Sequence, residues 1–341
     1  MFEDMKFTMC AAPDADLHTT IGWWKLIDEL GFDYIGIPDT PLLMREAYVS
    51  LTSAAFSTSR AGIKLMVTNP ITRDISVTAG AILSMHDLIG DRLVVGFGAG
   101  DSSSLAIGLG SASSKRIEEY MNALRGLLAG EKVDFQGREL KGAWRDFKPF
   151  RPYLMMAGAG EKTFKAAGRC ADAVISAFGM RPETIAAAQQ WVREGAEEVG
   201  RNPDEVEIWH LALVAPGESQ EEAFAHASTQ GLLLARNGNP RGKLIPEEYE
   251  AGMWEMAKYY KLENHSRLNT AIVEIAKRTG CLEYLCERAG MVGPVDYTKM
   301  IERYRSMGVK NMILNALGPD RPRTCRAIAE KVISKRQELV A

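Results

Sequence analysis

The feature that most narrows the fold is a rhythm. Short runs of β-branched and apolar residues recur along the chain, each followed by a longer segment whose apolar residues return at helical spacing. The runs are Lys6 to Cys10, Asp33 to Ile37, Ile63 to Val67, Leu93 to Phe97, Tyr153 to Ala157, Ala173 to Ala177, Glu207 to Val214 and Lys310 to Leu314. Helical periodicity marks Thr20 to Leu30, Val77 to Leu88, Ile117 to Leu128, Lys162 to Gly168, Thr184 to Val199 and Tyr297 to Ser306. Eight such strands, with no long Pro/Gly/Ser linker between them, predict an α/β fold: a single (β/α)8 TIM barrel domain over 1–341. A doubly wound sheet is the competing architecture. A barrel places its chemistry where strands end and helices begin, at the C-terminal face.

Two segments depart from simple alternation. Glu131 to Trp144 reads as a β-hairpin or extended insertion before the fifth strand. Gly231 to Gly293 is too long for one crossover helix and reads as a helical insertion after the seventh strand, carrying Tyr249, Trp254, Tyr259, Tyr260 and Tyr284. It either covers the barrel mouth or forms a dimer contact; its residues leave both open.

The 341 residues are 46% hydrophobic, enough for a large core, and carry a formal net charge of -3, which argues against a nucleic-acid or anionic-membrane partner. No apolar run reaches membrane-spanning length, and MFEDMKFTMC lacks the apolar stretch of a signal peptide, so a cytoplasmic protein is expected. Five scattered cysteines without a C-x-x-C pair imply reduced thiols, and no histidine pair has metal-ligand spacing, so no metal is expected.

The strand ends carry the candidate chemistry. VVGFGAGDS, residues 94–102, invites a Rossmann reading, but the third glycine of G-x-G-x-x-G falls on Asp101 when counted from Gly96, and on Ser103 when counted from Gly98. The glycines are read instead as a strand running out beside a planar ring. Gly96 and Gly98 leave room, and Gly100 turns the chain to present Asp101 and Ser102. In Gly158-Ala159-Gly160-Glu161-Lys162-Thr163 a glycine-rich strand end opens directly onto a helix, a geometry suited to a phosphate or simply a tight turn. Thr68 and Asn69 end the third strand and Ser176 the sixth. Asp39, in Pro38-Asp39-Thr40-Pro41, is either a general acid or base at the barrel mouth or a turn and capping residue. Along WHLALV, alternation puts His210 on one face with Ala212 and Val214, opposite Trp209, Leu211 and Leu213. His210 is a catalytic candidate if its face is luminal, and a satisfied core histidine otherwise. Cys10 reads as packing, and Arg73 as a partner for Asp101, the cofactor or a surface acid.

Several segments, in order, resemble the superfamily of luciferase-like flavin monooxygenases and deazaflavin-dependent reductases, and within it the methylene-tetrahydromethanopterin reductases. They are LIDELGFDYIGIPD (26–39), VTNPITR (67–73), GDRLVVGFGAGDS (90–102), LRGLLAGEKV (124–133), PYLMMAGAGEKTFKAAGRCADAVISA (152–177) and MGVKNMILN (307–315). The resemblance implies a barrel, usually a homodimer, whose C-terminal mouth binds FMN or an 8-hydroxy-5-deazaflavin, coenzyme F-420. It also implies a cis peptide at Met66–Val67 supporting the ring, with Thr68 and Asn69 at the ring's polar edge and the phosphate at Gly158 to Thr163. Two positions depart from the deazaflavin pattern: Asp39-Thr40 stands where Asp-His is common, so the histidine is missing, and Met66 replaces a glycine.

The first expectation is therefore a two-component monooxygenase, taking reduced FMN from a separate flavin reductase and using oxygen on a small, largely apolar substrate. The alternative is an F-420-dependent reductase passing hydride to a small molecule, and a third reading is a non-catalytic flavin-binding barrel. The substrate pocket is expected among Thr40 to Arg45, Ser102 to Gly110 and the aromatics of the long insertion.

Overall fold

The computed structural model describes residues 2–236, 240–259, 261 and 267–337. Its strands are β1 (Lys6–Cys10), β2 (Tyr34–Ile37), β3 (Gly62–Thr68), β4 (Leu93–Phe97), β5 (Val133–Phe135), β6 (Arg138–Leu140), β7 (Leu154–Gly158), β8 (Ala173–Ser176), β9 (Glu207–Ala215), β10 (Gly290–Val292) and β11 (Asn311–Ala316). The helices are α1 (Leu17–Glu29), α2 (Ala47–Ser57), α3 (Ile75–Ile89), α4 (Asp101–Ala106), α5 (Ser114–Leu128), α6 (Glu161–Cys170), α7 (Pro182–Glu197), α8 (Gln220–Arg236), α9 (Glu247–Ala257), α10 (Thr270–Arg278), α11 (Leu282–Ala289), α12 (Tyr297–Ser306) and α13 (Arg321–Ile328).

The parallel ladder runs β9-β11-β1-β2-β3-β4-β7-β8, and β8 pairs back with β9, so eight strands close into a barrel with helices outside. The closing strand is long. Glu207 to His210 of β9 pair with Ala173 to Ser176 of β8, while Leu213 to Ala215 of the same strand take on β10. That three-residue strand escapes sequence reading because it is shorter than any periodicity can register. The insertion before the fifth barrel strand is the antiparallel hairpin β5–β6.

Both faces of the barrel strands are apolar, as expected of a parallel sheet covered on each side. Val94, Met155, Ala173, Ile175, Trp209 and Ile313 fill the lumen. Their strand neighbours Val95, Leu154, Met156, Val174, Ala212 and Leu314 pack in the main core beneath the helices.

The long insertion forms its own apolar cluster, in which Phe224, Met253, Met256, Ile272 and Leu285 pack together with Leu213, Ala215 and Val292 of β9 and β10. It is thereby seated on the C-terminal ends of those two strands. Its aromatics do not converge on the mouth: Tyr249 and Tyr284 stack on one another at 4.4 Å, while Trp254 and Tyr259 are about half exposed. Tyr260 lies outside the described residues. Among the described residues, no helix is long and apolar enough to cross a membrane.

Two glycines set the position of α6, whose N-terminus faces the barrel mouth. A Cβ on Gly168 would fall 2.3 Å from the Val192 carbonyl oxygen, and one on Gly195 would fall 2.0 Å from that of Lys165, so α6 and α7 touch backbone to backbone. Gly195→Ala should force the helices apart and lower stability by about 1–3 kcal/mol, the usual cost of overpacking, read from urea unfolding. An unchanged midpoint would show that this contact yields freely.

Candidate functional site

A cavity of about 440 Å³ opens at the C-terminal end of the barrel, within the range of small-molecule and cofactor sites. Each of the eight barrel strands, or the loop that follows it, contributes to its wall. The ladder between β3 and β4 shifts register between Leu65 and Thr68, so the consecutive residues Met66 and Val67 both line the cavity. The Met66–Val67 peptide bond is cis.

Val67 explains the neighbouring glycines. A Cβ on Gly98 would lie 2.7 Å from a Val67 methyl, and one on Gly96 would lie 2.9 Å from the Leu65 carbonyl oxygen and 3.0 Å from the other Val67 methyl. The room left by these glycines is therefore filled by Val67, which stands between β4 and the cavity. Gly96 does not line the cavity; Gly98 does. Gly100 has φ +85°, a conformation that favours glycine, and starts the turn into α4. Asp101, Ser102 and Ser103 line the wall there, with the Asp101 carboxylate accepting from Ser111 Oγ at 2.8 Å.

Opposite, Ala157, Gly158, Ala159 and Thr163 line the cavity where β7 opens onto α6. The Thr163 side chain fills the space that a Cβ on Gly158 would need. Gly160 caps α6 without any side-chain acceptor, which leaves the first amide groups of the helix at its positive end. Glu161 is engaged by Lys165 at 2.9 Å, and the side chains of Glu161 and Lys162 lie outside the wall. The cation at this end is instead Lys243, from the long insertion. It lines the cavity, donates to the Ala159 carbonyl and has its Nζ 4.0 Å from where a Gly160 Cβ would sit. Burial pulls the Lys243 pKa down, against the attraction of Asp101. Its own carbonyl is held at 2.7 Å by the buried Arg288, which also donates to the Tyr284 hydroxyl at 3.1 Å. Nothing in the pattern around Lys243 marks it in the sequence, because its role depends on how the insertion folds back.

Asp39 lines the cavity, yet its Oδ2 accepts from Thr68 Oγ1 at 2.7 Å and from Arg73, which also bonds Glu46 at 2.5 Å. It is thus an anchored anion joining the end of β2 to the start of α3. Arg73 pairs with Asp39 and Glu46, not with Asp101. Thr68 and Asn69 are buried behind the wall. The Asn69 amide donates to Ser103 Oγ at 2.9 Å and its carbonyl accepts from Ile71 N and Thr72 N, so it shapes the turn that carries the site.

His210 and Ser176 are corrected. The luminal face of β9 is the one bearing Trp209, Leu211 and Leu213: Trp209 packs in the lumen and both leucines line the cavity. His210 therefore points toward the helices and has no contact with the cavity. Burial pulls its pKa down to about 4, so it is neutral at neutral pH. Ser176 pairs with His210 across β8 and β9 and takes the same outward face, beside a strand neighbour, Ile175, that points into the lumen. The expected aromatic lining from the insertion is also absent among the described residues; Trp23, Met44, Leu211 and Leu213 supply the apolar wall.

The cavity fits a phosphorylated planar cofactor. One wall is nearly bare backbone at Gly98, Ala99, Gly100, Ala157, Gly158 and Ala159, Val67 backs it, and one end combines a helix N-terminus with Lys243.

The model of the family described as luciferase-like monooxygenase matches residues 5–274. A 5,10-methylenetetrahydromethanopterin reductase of Methanolobus tindarius is 31% identical over 227 residues, 63% of this chain and 69% of that protein. The reductase of the same name from Archaeoglobus fulgidus is 24% identical over 97% of this chain and 99% of its own length. Among solved structures, the coenzyme F-420-dependent tetrahydromethanopterin reductase of Methanopyrus kandleri superposes with a TM-score of 0.76 at 20% identity, covering 97% of this chain and 99% of that one, and shows the same fold.

Cys10 lines this cavity, and burial pushes its thiol up to about 12. A thiol is inert while protonated, and at pH 8 only roughly one molecule in ten thousand would carry the thiolate. Iodoacetamide at that pH should leave Cys10 unmodified in the folded protein and label it after urea unfolding, as read by peptide mass mapping. Labelling in the folded state at the rate of a free cysteine would contradict the raised thiol pKa.

Proposed function

The chain belongs to the luciferase-like monooxygenase family, and within it we propose that it is a coenzyme F-420-dependent oxidoreductase that transfers hydride to or from a small organic substrate. The observation that carries the proposal is the near end-to-end match to methylenetetrahydromethanopterin reductases, which spans the barrel and the long insertion that supplies Lys243. This ordering reverses the expectation drawn from Thr40 and Met66, which put the FMN-dependent monooxygenase first.

Coenzyme F-420, when bound, supplies two-electron hydride chemistry at its deazaflavin ring. The chain's own part is to bind, orient and dry the site. Val67 and the backbone of Gly98 and Ala99 form the face against which a planar ring packs. Met66, Leu211 and Leu213 make the floor apolar, which keeps water from the reacting carbon. The α6 N-terminus, Thr163 and Lys243 form the end that takes a phosphate, where backbone amides and an ammonium each favour negative charge. Asp39, fixed by Thr68 and Arg73, is a carboxylate of the cavity wall suited to orienting a polar group of the substrate or ring.

The test is an anaerobic spectral titration of the purified protein with F-420 and with FMN. F-420 should bind more tightly by at least about tenfold, a difference of about 1.4 kcal/mol, and in a parallel assay in air substrate turnover should consume no oxygen. Selective binding of FMN, with oxygen consumed into product, would establish the monooxygenase instead. Lys243→Ala should weaken F-420 binding by about tenfold, the order expected for one charged hydrogen bond, and leave the unfolding midpoint in place. Equal affinity in the variant would remove Lys243 from the phosphate end.

A further inference from the structure

The barrel has a second cavity, at its opposite end. Its volume is about 270 Å³ and its wall comes from the beginnings of the strands whose later residues line the cofactor cavity: Lys64 against Met66 and Val67 on β3, Glu207 and Trp209 against Leu211 and Leu213 on β9. At its base stands Lys64, 1% exposed, with an Nζ that has no hydrogen-bond partner among the described residues. The amine lies 2.8 Å from the centroid of the Trp209 ring and 3.9 Å from that of Tyr34. The Glu207 carboxylate shares the cavity, held by Trp209 Nε1 at 2.9 Å and by Lys6 at 3.2 Å. At the rim, Lys6 and Arg151 are about half or more exposed, so the cavity opens to solvent.

An unpartnered buried amine has two uses. As an ammonium it would call for an anion; as a free amine it is a nucleophile. Burial lowers the Lys64 pKa well below its ordinary value; the Glu207 and Asp33 carboxylates oppose the shift and the Lys6 ammonium adds to it. The surroundings also distinguish what the amine can hold. Two aromatic faces and a carboxylate stabilise a cation and disfavour a bound anion.

We infer that Lys64 is a reactive amine that condenses with a small uncharged aldehyde or ketone in this second cavity. Nζ attacks the carbonyl carbon, an N–C bond forms, the C–O bond breaks, and the oxygen leaves as water with the two amine hydrogens of the neutral lysine. The imine product gains a proton from solvent and is a cation, matched to the rings of Trp209 and Tyr34 and to the Glu207 carboxylate in the same cavity. Carbon dioxide is the wrong partner, since its adduct is an anion beside Glu207. The inference does not depend on which cofactor fills the other end of the barrel.

The test treats the full chain with acetaldehyde and sodium cyanoborohydride at about pH 6 and maps the alkylated lysines by peptide mass spectrometry. Each unit of pKa depression raises the unprotonated fraction about tenfold, so Lys64 should be labelled at least about tenfold faster than exposed lysines such as Lys115. Glu207→Gln removes a carboxylate that holds the Lys64 pKa up, so it should speed labelling at Lys64 severalfold and leave the exposed lysines unchanged. Lys64→Met, of similar volume in an aromatic cage, should remove the signal while circular dichroism stays the same. Labelling of surface lysines with Lys64 untouched in the folded protein, or labelling of Lys64 only after urea unfolding, would overturn the inference.

Discussion

The pairing of β9 with its neighbours is the constraint on which both ends of the molecule rest. By bonding to β8 at its start, to β11 along its length and to β10 at its end, this strand closes the barrel and decides which of its faces looks inward. Trp209, Leu211 and Leu213 go in; His210, Ala212 and Val214 go out. The same strand therefore supplies the aromatic floor over Lys64 and the apolar wall of the cofactor cavity, and it seats the long insertion that brings Lys243 to α6.

At the C-terminal mouth the packing reverses the usual relation between glycine and ligand. Gly96 lies behind the cavity wall, while the backbone of Gly98 is part of it. They admit Val67, and Val67 presents the surface on which a ring can rest. A similar substitution occurs at the start of α6, where Lys162 is adjacent in sequence to the helix start but Lys243, from a distant segment, is the lysine that lines the cavity.

Much of this was legible in the sequence because it is governed by local rules. The eight strands, the hairpin over β5 and β6, and the strand ends around Asp39, Val67, Gly98, Asp101 and Gly158 follow from apolar runs, turn residues and the C-terminal rule of barrels. What escaped depends on relations that period-two alternation leaves undetermined. Alternation divides β9 into two faces but does not say which is luminal, so it leaves the side of His210 open, and Ser176 stands as a candidate only because it ends its strand; the register between β8 and β9 turns both outward. Thr68 and Asn69 have side chains suited to touching a ligand, but their hydrogen bonds to Asp39 and Ser103 make them braces behind the wall, which Asp39 itself lines. Lys243 reaches Ala159 across 84 residues of sequence and Arg288 reaches Lys243 across 45, distances at which no local pattern carries information.

A crystal structure of the protein grown with F-420 decides whether one end of the barrel takes a deazaflavin ring against Val67 with its phosphate at the start of α6. It should show ring density against Val67 and Gly98, phosphate density at the first amides of α6, and Lys243 Nζ turned from the Ala159 carbonyl to a phosphate oxygen. A ring bound elsewhere, or a phosphate held away from α6 with Lys243 still on Ala159, would contradict this placement.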